Sequence, residues 1–224
     1  MESPPQEKEM KLPKLYAIVD TATLARHNIA PISFTEALLD AGVRLLQYRH
    51  KGPFTKSIFA EAQAIANLCH QANAHYVIND RADIARILHA GLHLGQDDLT
   101  PTDARTVIGN AALLGYSTHN AAQLAAANNE PVDYLAIGPI FATGSKETPD
   151  PVLGLEPLPH LRTLTTKPLV AIGGITLANA ESVLATGIDS IAVISDLIPN
   201  LHQWSMWGGR PRPRSAPWPA NPLP

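Results

Sequence analysis

The chain has 224 residues, 45% of them hydrophobic, and a formal net charge of −3 with 17% charged residues. This length and composition suit one domain with a large core. The weak net charge favours neither nucleic acid nor membrane as the main partner, no apolar run approaches a membrane span, and segment 1–13 lacks the apolar core of a signal peptide, so a cytoplasmic location is expected.

Short β-like runs alternate with longer helical ones. Residues 15–20 read as a strand and 33–41 as a helix. Ser33 and Glu36 stand at capping-box spacing, and Gly42 is placed to end the helix. A second strand at 44–48 precedes a helix at 55–72, whose apolar positions Ile58, Phe59, Ala62, Ile65, Ala66 and Cys69 recur at helical spacing. Cys69, the one cysteine, reads there as a small buried hydrophobe, and with no partner for an intramolecular disulfide it fits a reducing compartment. Strands follow at 75–78, 92–95, 113–116, 133–138, 168–172 and 189–194, with helices at 82–89, 102–108, 121–128, 156–164 and 177–186 between them. Eight strands alternating with helices argue for parallel pairing through crossover connections. An α/β fold of the (β/α)8 TIM-barrel type accounts for that count within this length, whereas a doubly wound sheet would leave unprotected edge strands.

From Pro199 onward the composition changes. All three tryptophans fall here, with seven prolines and with Arg210, Arg212 and Arg214. The expected organisation is a polar extension at 1–13, a barrel at 14–198 and an irregular tail at 199–224 that replaces the last helix. A reading-frame change near Ile198 would explain the abruptness, and sequencing the source gene tests it.

Polar clusters recur where the strands end. They are Gln47-Tyr48-Arg49-His50-Lys51, Asn79-Asp80-Arg81, Gly95-Gln96-Asp97-Asp98 and Ser117-Thr118-His119. Polar groups are costly to bury unless paired or used, and the C-terminal ends of barrel strands are where such a fold keeps its active site. Gln47, Arg49 and Lys51, two apart along a strand, project to one side and suit an anionic group on a polar ring; a solvated strand end is the competing reading. Asp80 and Asp98, with Asp97 as a substitute, offer carboxylates on neighbouring loops that suit Mg2+. Helix capping is the alternative for each of them. His119 is a candidate for proton transfer, while Asn120 reads as a helix N-cap. His89 and His93 lack zinc-ligand spacing and read as structural. The loop 138–146 joins small residues to Thr143, Ser145 and Lys146 and suits closure over an anion. Gly173-Gly174, after the seventh strand, and Ile194-Ser195, at the end of the eighth, occupy the recurrent phosphate position of such barrels.

This ordered set resembles the thiamine-phosphate synthase family across residues 15–198. The likeness rests on the Gln-x-Arg-x-Lys run at Gln47, Arg49 and Lys51, on Asn79-Asp80-Arg81, Gly95-Gln96-Asp97-Asp98, Gly115-Tyr116-Ser117-Thr118-His119, Gly138-Pro139-Ile140-Phe141, Thr143-Gly144-Ser145-Lys146 and Gly173-Gly174-Ile175. The resemblance implies that a hydroxymethylpyrimidine diphosphate is joined to a thiazole phosphate, releasing pyrophosphate. It implies Mg2+ on Asp80 and Asp98, charge stabilisation by Arg49, Lys51 and Lys146, and contacts from Gln47, Asn79 and Ser117 to the pyrimidine diphosphate. Thr143, Ser145, Gly173, Gly174, Ile194 and Ser195 would take the thiazole phosphate. Small phosphorylated substrates are the implied partners, and self-association is left open. Members of the family carry a helix after the eighth strand, so its expected absence bears on Ser195. A thiazole tautomerase of the same superfamily, using His119, and a catalytically defective phosphate-binding barrel are the alternatives; Mg2+-dependent turnover separates them from the synthase.

Overall fold

The computed structural model describes residues 11–144 and 150–207. Eight parallel strands close into a barrel in simple sequence order: β1 (Leu15–Asp20), β2 (Leu45–Arg49), β3 (His75–Asn79), β4 (Gly91–Leu94), β5 (Leu114–Thr118), β6 (Tyr134–Ile137), β7 (Leu169–Ile172) and β8 (Ser190–Val193). β8 pairs back onto β1, with Tyr16 beside Ala192, so no strand edge is left open.

The helices among the described residues are α1 (Thr21–Arg26), α2 (Pro31–Asp40), α3 (Lys56–Gln71), α4 (Ala82–Ile87), α5 (Pro101–Ile108), α6 (Ala121–Ala127), α7 (Leu158–Thr163), α8 (Leu177–Leu184) and α9 (Leu197–Trp204). None is long and apolar enough to cross a membrane. Two apolar layers follow from the strand alternation. Tyr16, Ile18, Leu45, Val77, Tyr134 and Val170 fill the barrel interior. The intervening residues, such as Ala17, Leu46, Ile78, Leu135 and Ile191, pack outward against the helices. Cys69 is fully buried in that outer layer, and burial pushes its thiol up to about 12, which makes it inert as a nucleophile.

Three local expectations are corrected. α1 was not foreseen; it exists because the Asp20 carboxylate, at the end of β1, accepts from the Thr23 N–H and caps it. α2 starts at Pro31 with Ala30 as its N-cap, so Ser33 lies inside the first turn and forms no capping box with Glu36. Proline suits that first position because its missing N–H would have had no helical partner.

The largest correction is α9. A helix crosses the point where an irregular tail was expected to begin, and it packs Leu197, Ile198, Leu201 and Trp204 inward. Pro199 is tolerated because it sits in the first turn, and the backbone departs from helical angles only at Asn200. Trp204 is fully buried, its indole N–H donates to Asp196 Oδ2 at 2.9 Å, and its ring lies 6.0 Å from that of Trp207. The barrel therefore has a helix after β8. The remaining tail residues, including Arg210, Arg212 and Arg214, lie outside the described residues.

Replacing Trp204 with alanine removes the largest fully buried side chain and one of the hydrogen bonds that hold Asp196. The expected loss is about 3–5 kcal/mol of unfolding free energy. Urea or thermal unfolding reads it; a loss under about 1 kcal/mol, within the range of ordinary surface substitutions, would mean that α9 is not integral to the fold.

Candidate active site

The C-terminal ends of β1 to β5 bring the expected residues together. β5 runs to Thr118, further than the pattern suggested, and so carries Ser117 into the sheet. Gln47 and Arg49 share the inward parity of Leu45, and Asn79 that of Val77.

Gln47 is buried and donates from Nε2 to the Tyr16 hydroxyl at 2.8 Å. Arg49 is paired with Asp20, which sits beside it in register on β1. Burial works against the Asp20 carboxylate, but hydrogen bonds from Thr23 and Arg49 outweigh it and hold the pKa below the usual aspartate range. Asp20 thus fixes the Arg49 guanidinium while capping α1, and residue types alone gave no hint of that double duty. Lys51 is exposed, and its Nζ donates to Asp80 Oδ2 at 2.6 Å.

Asp80 is not a helix cap: Arg81 holds that position in front of α4. The Asp80 backbone is left-handed, with φ of 63°, and its N–H donates to the His93 carbonyl at 2.9 Å. Such a conformation is uncommon outside glycine, with Asp and Asn the usual exceptions. It turns the carboxylate towards Lys51 and Asp98. Asp98 accepts from the Gly95 N–H at 2.7 Å, which closes the turn after β4. Burial and the neighbouring Asp80 carboxylate both raise the Asp98 pKa. Asp97 is exposed.

Asn79 Nδ2 is, among the described residues, the buried side-chain polar atom that lacks a hydrogen-bond partner. An unsatisfied buried donor costs free energy in an empty protein. This donor lies at the end of β3, directly before Asp80.

Ser117 Oγ lies 2.8 Å from His93 Nε2, and the His93 ring stacks on Tyr134 with centroids 5.6 Å apart. His93 was expected to be structural, and Tyr16 and Tyr134 were not singled out. Strand parity turns all three inward, with Tyr16 and Tyr134 rising from the N-terminal halves of β1 and β6 so that their hydroxyls reach Gln47 and His93. His119 donates from Nδ1 to the Gly138 carbonyl at 2.7 Å, which ties it to the start of the loop after β6. Asn120 caps α6 by accepting from the Gln123 N–H, as expected.

On the other side, the loop after β6 continues to pair with β7. The Ile140 and Phe141 N–H groups donate to the carbonyls of Ile172 and Gly173 at 2.9 and 3.0 Å. Gly173 and Gly174 have φ of 101° and 62°, and a Cβ at Gly174 would lie 2.5 Å from the Ala142 carbonyl oxygen. Glycine is therefore needed at Gly174 for close packing as well as for backbone conformation. Thr143 is half-buried on this loop, while Ser145 and Lys146 lie outside the described residues. Ile194 is half-buried and Ser195 exposed at the end of β8. Asp196 then accepts from the Leu177 N–H at 3.0 Å, at the start of α8, and from Trp204.

Residues 15–197 match the family model for thiamine monophosphate synthase. The chain belongs to the thiamine monophosphate synthase family. It is 49% identical over 193 residues to the thiamine-phosphate synthase of Koribacter versatilis, covering 84% of this chain and 90% of that protein. It is 39% identical to that of Chloroflexus aurantiacus, covering 83% and 85%. The solved thiamine phosphate pyrophosphorylase of Pyrococcus furiosus superposes with a TM-score of 0.76 at 29% identity, covering 87% of this chain and 93% of that one. The family members it matches are enzymes, and so is this chain.

The Asp98 shift yields a signed expectation. Its pKa is raised in the folded protein, so metal-free protein gains stability from Asp98 protonation at acid pH. That gain is lost as pH rises through the window from the ordinary aspartate value to the raised one. At neutral pH in chelator, Asp98→Asn should raise the melting temperature, with the gain shrinking as pH falls through that window. A variant that melts lower than the parent at neutral pH without metal would contradict the repulsion between the two carboxylates.

Proposed function

We propose that the protein condenses 4-amino-5-hydroxymethyl-2-methylpyrimidine diphosphate with a thiazole phosphate, giving thiamine phosphate and pyrophosphate. The observation that carries this reading is the convergence of two adjacent carboxylates, two cations and an unpartnered amide donor at the end of the strands. Such a set matches a metal-bound diphosphate attached to a polar ring.

Asp80 and Asp98 would hold Mg2+. Adjacent carboxylate oxygens fit a hard cation that takes few protein ligands and completes its shell with phosphate oxygens and water. When bound, the ion would neutralise charge gathering on the departing pyrophosphate. Lys51, already on Asp80, and Arg49, held by Asp20, would bring positive charge to the same leaving group. Asn79 Nδ2 would complete its hydrogen bonding on the substrate. Gln47 would orient the pyrimidine through its free valences, and Ser117 would add a hydroxyl contact. Loss of the diphosphate leaves a pyrimidine-methyl cation, and the thiazole nitrogen attacks that carbon. No protein nucleophile is required.

The thiazole phosphate would lie against Gly173, Gly174, Ile194 and Ser195, with Thr143, Ser145 and Lys146 supplied by the loop after β6. Because Asp196 already takes the Leu177 N–H, this phosphate would rely on the glycine turn and the Ser195 region rather than on that helix amide. His119 is engaged with Gly138, so a positioning role for the loop suits it better than the acid–base chemistry of a tautomerase.

The test is thiamine phosphate formation from both substrates by purified protein, with and without Mg2+. Product is expected only with the ion. Lys51→Ala and Asp80→Ala should each lower turnover by about 10²–10³-fold with an unchanged circular dichroism spectrum. Full activity in both variants, or product in chelator, would refute the site.

A further inference from the structure

Four hydrogen bonds cross the barrel interior from β2 to β5. Gln47 Nε2 donates to the Tyr16 hydroxyl at 2.8 Å. The Tyr16 and Tyr134 hydroxyls are 2.9 Å apart, Tyr134 Oη is 2.9 Å from His93 Nδ1, and His93 Nε2 is 2.8 Å from Ser117 Oγ. Gln47, Tyr16, His93 and Tyr134 are all buried, and Ser117 is half-buried at the end of the row.

The row requires a gap in the sheet. Gly115 is the register partner of both His93 and Tyr134, and it lies between them. A Cβ at Gly115 would stand 2.0 Å from Tyr134 Cζ. Only a residue without a side chain lets the Tyr134 ring cross β5 and stack on His93.

The direction of the row follows from counting protons. An amide NH2 only donates, so Tyr16 accepts from Gln47 and turns its single proton to Tyr134. Tyr134 then gives its own proton to His93 Nδ1, which must be bare. A neutral imidazole with a bare Nδ1 carries its proton on Nε2 and donates it to Ser117. Ser117, having accepted from His93, has its hydroxyl proton left for a group outside the row.

We propose that Tyr16, Tyr134 and His93 are positioning residues that hold Ser117 as a hydrogen-bond donor towards an acceptor atom of the pyrimidine diphosphate. The claim rests on the reading above, in which Ser117 contacts that substrate. The same polarity uses one of the two N–H donors of Gln47 Nε2 and leaves its Oε1 as the amide's acceptor. The row thus presents an acceptor at one end and a donor at the other, which complements an aminopyrimidine carrying a diphosphate.

The first test needs no substrate. In the full-length protein with 15N-labelled histidine rings, His93 is assigned by the signals lost in His93→Gln. It should show a protonated Nε2 and a bare Nδ1. The opposite tautomer, as a Gln47 amide turned about would impose, overturns the proposal, as does a doubly protonated ring at neutral pH. The second test is a double-mutant cycle in the presence of Mg2+. Ser117→Ala should raise KM for the pyrimidine diphosphate about 10-fold, the scale of one lost hydrogen bond to a charged or polar partner. Tyr134→Phe, which removes the proton that selects the tautomer, should raise it comparably, with kcat changing less. Adding Ser117→Ala to Tyr134→Phe should then cost little more. Fully multiplicative losses would show that Tyr134 does not act through Ser117. An unchanged KM in Ser117→Ala beside the expected tautomer would refute the substrate contact while leaving the row itself in place. Inorganic pyrophosphate locates the acceptor: its inhibition weakens in Ser117→Ala for a diphosphate oxygen and is unaltered for a ring nitrogen.

Discussion

The interior of a closed barrel has to be filled, and side chains on alternate positions of eight strands are what fill it. In this protein the filling is apolar through Leu45, Val77 and Val170 and becomes polar towards the C-terminal ends, at Gln47, Asn79, His93 and Ser117. A polar layer inside a barrel is tolerable only if its members satisfy one another. Tyr16 and Tyr134 make that possible, because each joins an apolar ring that packs in the layer below to a hydroxyl that bonds in the layer above. Gly115 in turn permits Tyr134, since no side chain fits between its ring and the strand. Site and core are therefore one packing problem.

The outer rim follows a different rule. Asp20 and Arg49 form a satisfied pair, with carboxylate and guanidinium side by side in register. Asp80 and Asp98 form a strained one, in which like charges are held together and, among the described residues, the exposed Lys51 and the Gly95 N–H compensate them in part. A stable resting protein gains nothing from the second arrangement. It would become favourable with a divalent cation held as proposed above, and the left-handed backbone at Asp80 is a further cost consistent with that proposal.

The barrel was legible because its evidence is repeated: eight apolar runs, each ending in polar residues, leave few alternatives. Among the candidate residues, Gln47 and Arg49 are legible through parity along β2, and Asn79 and Asp80 through their place where a strand ends. What escaped was information carried between strands. Asp20 reads locally as the last residue of a strand, and only the register with Arg49 shows its partner. His93 was set aside because no metal spacing supported it; its partners, Tyr134 and Ser117, lie 41 and 24 residues away in the chain. α9 was missed because proline count outweighed spacing. Leu197, Ile198, Leu201 and Trp204 already fall on one helical face, and a proline in a first turn leaves that face intact despite the kink at Asn200.

That helix sits directly behind the end of β8. Asp196 follows Ser195 directly and is held from three directions, by the Leu177 N–H, by the Asn200 amide and by the Trp204 indole. β8, α8 and α9 therefore meet at one carboxylate, and the position of Ser195 is set by the same contacts that dock the last described helix. A short helix docked by Leu197, Ile198, Leu201 and Trp204 supports the strand end next to it. The unusual composition beyond residue 199 does not deprive the strand end of its brace, because the residues that form the brace precede the change or coincide with its first turns.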